Sequence, residues 1–173
     1  MTEPVSRQGV PRAERPIFPD GYGVPDTLDG LLPWRHADER LERAKIYWIA
    51  TTRPDGRPHV SPIWGVWLDN TLFFDGSPQA RRSRNLAARP HVAAHLDSGG
   101  EGKDVVVLEG TSGELRPPPE LAARLAAAYA AKYRAENYAP EPTQWDNGGL
   151  YAVRPRVVIA WTDLPTATRW RFD

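Results

Sequence analysis

The residues of this chain best suited to chemistry cluster in Ser77-Pro78-Gln79-Ala80-Arg81-Arg82-Ser83-Arg84-Asn85. Ser77 is a good N-cap and Pro78 a good first helical residue, so the segment predicts a helix running to about Ala88 and stopped by Pro90. The first amides of a helix lack intrahelical acceptors and sit at the positive end of the macrodipole, so a helix start attracts anions. Arginine adds planar, paired donors that match phosphate. Arg81, Arg82 and Arg84 stand where the macrodipole disfavours cations, which points weakly to an anion among them. On charge alone, a solvated basic helix face is the simpler reading.

A second cluster is His59-Val60-Ser61-Pro62-Ile63-Trp64-Gly65. In a strand, Val60, Pro62 and Trp64 share one face with Val66 and Leu68, while His59, Ser61 and Ile63 share the other. A proline within a strand implies an edge or a bulge, and the following glycine permits close backbone approach. That pattern suits a flat ring lying along the strand, and equally suits a barrel corner. Other chemistry is poorly supplied. His91 and His95 share a strand face about 13 Å apart, too far to bind one metal. His59 has no acidic partner nearby in sequence, and Ser61, Ser77 and Ser83 lie in no nucleophile-elbow pattern. The Gly99–Gly102 stretch lacks the Lys-Ser/Thr of a phosphate-binding loop and reads as a flexible connection. With no cysteine, disulfides and thiolate chemistry are excluded. No catalytic side chain and no metal site are expected.

The surrounding elements must therefore position a ligand rather than an acid–base pair. Residues 1–27 carry no hydrophobic period and read as a flexible arm, disordered or laid against another surface; residues 28–173 form one domain. A short helix is expected from about Leu32 to Ala44, with Pro33 early in it. Lys45–Arg53 and Arg57–Asp69 read as strands joined by Pro54-Asp55-Gly56, and Asp69-Asn70 turns the chain into Thr71–Asp75, giving a meander. Further strands are expected at His91–Leu96, Asp104–Leu115, Leu150–Trp161 and Thr168–Phe172. Leu121, Leu125, Tyr129 and Tyr133 form an i,i+4 row in the clearest helix. Runs such as Val105–Leu108 and Val157–Ala160 are apolar on both faces and need cover on each side. The expectation is a mainly β fold with flanking helices: a small barrel of six to seven antiparallel strands, Greek-key-like, with a homodimer interface. Lys+Arg and Asp+Glu balance at 22 each, so no whole-molecule field points to nucleic acid. No apolar leader or membrane-length stretch is visible, so a cytoplasmic protein is expected.

Three blocks resemble a known family. They are the hairpin Ala50–Pro62, then Leu72-Phe73-Phe74 with Arg82-Ser83-Arg84-Asn85-Leu86 and Arg89–Ala93, and then Leu108-Glu109-Gly110-Thr111. In order and spacing these resemble the pyridoxamine-phosphate-oxidase-like split barrels, which include flavin- and deazaflavin-dependent oxidoreductases. The resemblance implies a homodimer with FMN or the deazaflavin F420 at the subunit interface, and hydride transfer with a small organic substrate. It implies that His59, Val60, Ser61, Pro62, Ile63 and Trp64 lie along the ring. Phe74, Asp75, Gly76 and Ser77 lead toward the phosphate, which Arg82 binds with Arg81, Ser83 and Asn85 nearby. Trp170 and Arg171 approach the cofactor from the ending, which resembles an actinobacterial branch and favours F420 slightly. True pyridoxamine-phosphate oxidases end in Arg-Leu-x-Pro; this chain ends Arg169-Trp170-Arg171-Phe172-Asp173, which argues against vitamin B6 oxidation. Two alternatives are an FMN oxidase of the pyridoxamine-phosphate type and a cofactor-binding protein without a substrate.

Overall fold

The computed structural model describes residues 10–96 and 102–172; of the arm expected at 1–27 the first nine residues, and of the loop at 97–103 the first five, lie outside the described residues. Nine strands make one antiparallel sheet: β1 (Arg12–Glu14), β2 (Tyr47–Thr52), β3 (Pro58–Ile63), β4 (Val66–Leu68), β5 (Thr71–Asp75), β6 (His91–Leu96), β7 (Val105–Leu115), β8 (Leu150–Trp161) and β9 (Thr168–Arg171). Three α-helices flank it: α1 (Trp34–Arg43), α2 (Arg81–Ala88) and α3 (Pro119–Tyr133). The main path runs β1-β9-β8-β7-β6-β2-β3, and β5, carrying β4, joins at β8. The 12-residue β8 can hold three neighbours because β5 uses its first half and β9 its second.

The hairpins form where their turn residues dictate. Gly56 takes φ +88° between β2 and β3, while Asp69 and Asn70 both take left-handed φ of 50° and 56° between β4 and β5. Two adjacent left-handed residues are the geometry that matches strand twist in a two-residue hairpin, and Asn and Asp tolerate it. The expected three-strand meander does not form. The second strand breaks at Trp64-Gly65, and β4–β5 swings away to β8, leaving β3 bonded only to β2 at an open edge. Past the break the alternation also fails, because Val66 and Trp67 are both buried. That division, with β1, raises the expected six to seven strands to nine.

Inside the sheet, Tyr47, Ile49, Leu72, Phe74, Leu108, Val153, Val158 and Trp170 pack with Ala37 and Leu41 of α1 and Leu86 of α2. A second core lies on the other face of β4, β5 and the start of β8, where Leu121, Leu125, Tyr129 and Tyr133 of α3 cover Val66, Phe73 and Ala152. The outward positions of β3, β2, β6, β7 and β8 have no such cover among the described residues: Val60, Pro62, Trp48, Ala50, Ala93, Val107 and Ile159 line up across the registers.

From Val10 onward the amino-terminal segment is laid against the sheet, the second of the two readings above. β1 pairs with β9, Glu14 accepts hydrogen bonds from Arg169 and Arg171, and Arg15 donates to the carbonyls of Thr27, Asp29, Pro165 and Ala167. A guanidinium with four backbone acceptors fixes a segment that lacks a hydrophobic period of its own. No helix among the described residues is long and apolar enough to cross a membrane.

Candidate functional site

α2 begins later than its cap residues suggest. Ser77 closes a turn, its carbonyl accepting from Ala80 N–H at 3.0 Å and its Oγ from Gln79 N–H at 3.1 Å. Ala80 is the extended residue before the helix, and the first internal bond runs from Arg84 N–H to Ala80 O at 3.1 Å. The amides of Arg81, Arg82 and Ser83 are therefore the free ones, three residues beyond the expected start. An Asx/Ser-type turn competes with capping for the same hydroxyl, and here it wins.

Around that helix start lies a set of buried polar atoms with no partner: Arg82 Nε, Ser83 Oγ, Asn85 Oδ1, Ser61 Oγ, His59 Nδ1 and Arg53 Nε. Unpartnered buried polar atoms are costly and rare in a finished fold, so their concentration at one place marks a candidate ligand position. Thr51 of β2 ties the group together. It faces His59 in the β2–β3 register, and its Oγ1 accepts from Asn85 Nδ2 at 2.9 Å. The Arg82 guanidinium lies over Gly76; a Cβ on Gly76 would stand 2.5 Å from its nearest nitrogen. Burial lowers the His59 pKa, and Arg53, Arg81 and Arg82 lower it further. A neutral imidazole thus faces three cations, a field that an incoming anion would relieve. Arg53, Arg81, Arg82, Arg84 and Arg89 have no carboxylate partner among the described residues.

The residues expected at the site divide into three groups. His59 and Ser61 face inward on β3, and with Arg81, Arg82, Ser83, Asn85 and Gly76 they surround the free helix start. Val60, Pro62 and Trp64 are exposed on the outward side of the same edge, and Ser77 sits in its exposed turn. Asp75 is half-buried and accepts a hydrogen bond from Tyr138 OH. Ile63, Phe74 and Trp170 are corrected to core residues. Phe74 stacks on Tyr151 with centroids 5.1 Å apart, and Trp170 meets Trp34 edge-on at 5.4 Å, both without exposure. Their inward parity on β3, β5 and β9 sends them into the barrel, where apolar burial holds them. Arg171, on the opposite parity, is exposed and paired with Glu14 at 2.5 Å.

Sequence reading missed Thr51 and Arg53 as members of the group. Their signal is the register of the Pro54-Asp55-Gly56 hairpin, which brings Thr51 opposite His59 and leaves Arg53 at the turn. A cleft of about 390 Å³ lies beside this group, lined by Asp75, Gly76, Ser77, Gln144, Asn147 and Gly148. A larger hollow of about 610 Å³ lies on the outward sheet face, between Ala50, His91, Glu109, Arg156 and Arg171. No group of histidine, aspartate and glutamate side chains able to hold a metal ion occurs among the described residues.

A forked antiparallel sheet with flanking helices, its edge strand beside a short helix with free amides, defines the class of split barrels. The comparisons agree with it. The pyridoxamine 5'-phosphate oxidase family profile matches residues 34–162, so the chain belongs to the pyridoxamine 5'-phosphate oxidase-like split-barrel family. A search of curated proteins finds no match. Among solved structures, a conserved hypothetical protein of Mycobacterium tuberculosis is 19% identical with a TM-score of 0.66, covering 81% of this chain and 90% of that one. An F420 reductase is 23% identical with a TM-score of 0.53, covering 82% and 98%. A heme binding protein from Mycobacterium smegmatis is 18% identical with a TM-score of 0.62, covering 82% of this chain and 59% of that one. These likenesses establish the fold; the family holds oxidoreductases and heme binders alike.

Proposed function

We propose that this chain is a flavin-type oxidoreductase, holding FMN or F420 by its phosphate at the start of α2 and transferring a hydride between the ring and a small organic substrate. The observation that carries this reading is the set of unpartnered buried polar atoms on Arg82, Ser83, Asn85, His59 and Ser61. A phosphate fits the donors among them: it brings acceptor oxygens to Arg82, to the free amides of Arg81–Ser83 and to the Ser83 hydroxyl. The bound ring supplies the hydride chemistry, and the protein supplies position and electrostatics. β3 suits a ring because its free edge leaves backbone groups unpaired, as only β2 bonds to it. Gly76 leaves room for Arg82 to lie flat over the backbone. His59 stays neutral among the arginines and gains its proton more readily once an anion is present.

Arg53, Arg81, Arg82, Arg84 and Arg89, which have no carboxylate partner among the described residues, favour F420 over FMN, because F420 carries carboxylates beyond its phosphate and FMN does not. The outward face of β2, β3, β6, β7 and β8 supports a homodimer, since its aligned apolar positions have no cover among the described residues. Titration of both cofactors into the pure protein tests the reading. One should saturate, and Arg82→Ala should weaken it roughly tenfold or more, as loss of a charge-assisted bond of about 1.5–3 kcal/mol requires. A yellow protein carrying FMN that forms peroxide would exclude F420. Tight binding with no acceptor reduced would make the chain a cofactor-holding protein instead of an enzyme.

A further inference from the structure

Beyond the anchor, one aromatic side chain is held out toward solvent by unusual means. Gly65 is buried where the chain leaves β3, so close to β5 that a Cβ would stand 2.7 Å from Phe73 O. The last turn of α3 grips this point. Tyr133 OH accepts from Gly65 N–H at 2.9 Å and shares its own proton between Lys45 O at 2.7 Å and Gly65 O at 2.8 Å. Lys132 Nζ donates to Gly65 O at 3.2 Å, Ala44 O at 2.9 Å and Tyr47 OH at 3.1 Å. The preceding residue, Trp64, lies flat on the Tyr133 ring, centroids 4.9 Å apart and planes 13° from parallel. Tyr138 closes one side at 5.9 Å, and its hydroxyl bonds Asp75, the neighbour of Gly76. With one face stacked and its backbone pinned, the indole still exposes 36% of its surface, whereas Trp67, Trp145 and Trp170 are buried.

We infer that Trp64 is a stacking shelf for the substrate, and that the substrate presents a flat, conjugated ring to it. This rests on the proposed cofactor site and names the substrate class for it. The shelf shares the Tyr138–Asp75 wall with the phosphate anchor, but Trp64 stands on the order of 17 Å along the strand from His59. It is therefore outside the group of unpartnered donors that serves the phosphate. An indole already fixed on one face loses little freedom when a ring settles on the other, which makes stacking effective.

The test uses wild-type, Trp64→Ala and Trp64→Phe proteins loaded with whichever cofactor binds, and also without cofactor. Binding of 2-naphthol is measured by titration and saturation-transfer NMR, with cyclohexanol as the non-planar control. The expected result is saturable binding of 2-naphthol and none of cyclohexanol. Affinity should fall roughly tenfold in Trp64→Ala and stay within threefold in Trp64→Phe. Equal binding of 2-naphthol by wild type and Trp64→Ala overturns the shelf, as does a tenfold loss in Trp64→Phe. Failure of the cofactor reading looks different: neither FMN nor F420 saturates the wild type.

Discussion

Lys132 gives the fold a stability profile that can be worked out in advance. Its amine is half-buried, held by two carbonyls and a phenol rather than by a carboxylate. Burial moves its pKa down from the ordinary 10.5 to about 8, with Glu42 opposing weakly. Between these values the unfolded chain binds a proton that the folded chain does not, so stability must rise with pH across that window. The charged amine costs the fold about 3 kcal/mol below pH 8 on a scale of about 1.4 kcal/mol per pH unit, and less where water reaches it. The rise ends near pH 10, because burial raises the pKa of Tyr133 to about 12 and those of Tyr47, Tyr129 and Tyr138 upward too. Those phenols ionise in the unfolded chain first, so stability falls above pH 10. Urea unfolding of the cofactor-free protein at intervals from pH 7 to pH 11 should therefore show a maximum near pH 10. In Lys132→Met the climb from pH 8 to pH 10 should vanish while the fall above it remains. A climb of equal size in wild type and Lys132→Met would refute the reasoning.

Two further perturbations probe the site and the open face. Gly76→Ala places a Cβ against the end of the flexible Arg82 side chain, so the guanidinium should shift while the fold stays intact; cofactor affinity should drop several-fold with an unchanged urea midpoint. Val107→Asp puts a charge in the middle of the outward apolar row; sedimentation should find the wild type as a dimer and the variant as a monomer.

Much of the architecture was legible because local chemistry decided it. The Leu121–Tyr133 row is buried along α3, Pro54-Asp55-Gly56 and Asp69-Asn70 turn as their types require, and His91–Leu96 and Leu150–Trp161 begin and end as read. What escaped was decided by distant partners. Pro62 and Gly65 mark an edge or a corner, but the break itself is decided by the close passage of Gly65 over Phe73 and the grip of Tyr133 from α3. The pairing of β5 with β8 joins Leu72 to Val153, far apart in the chain, and β1 exists through β9 and Glu14. At the site, Arg82, Ser83 and Asn85 were visible from residue type. Phe74 and Trp170 were not separable from ligand-facing aromatics until parity met the barrel interior.

The account stands on phosphate held at the start of α2, and one measurement addresses it most directly: titration of FMN and of F420 into wild type and Arg82→Ala, followed by the absorbance of the bound ring. Saturation of the wild type by one cofactor, with affinity about tenfold or more weaker in Arg82→Ala, is the predicted result. Saturation by neither, or equal affinity in the two proteins, would contradict it.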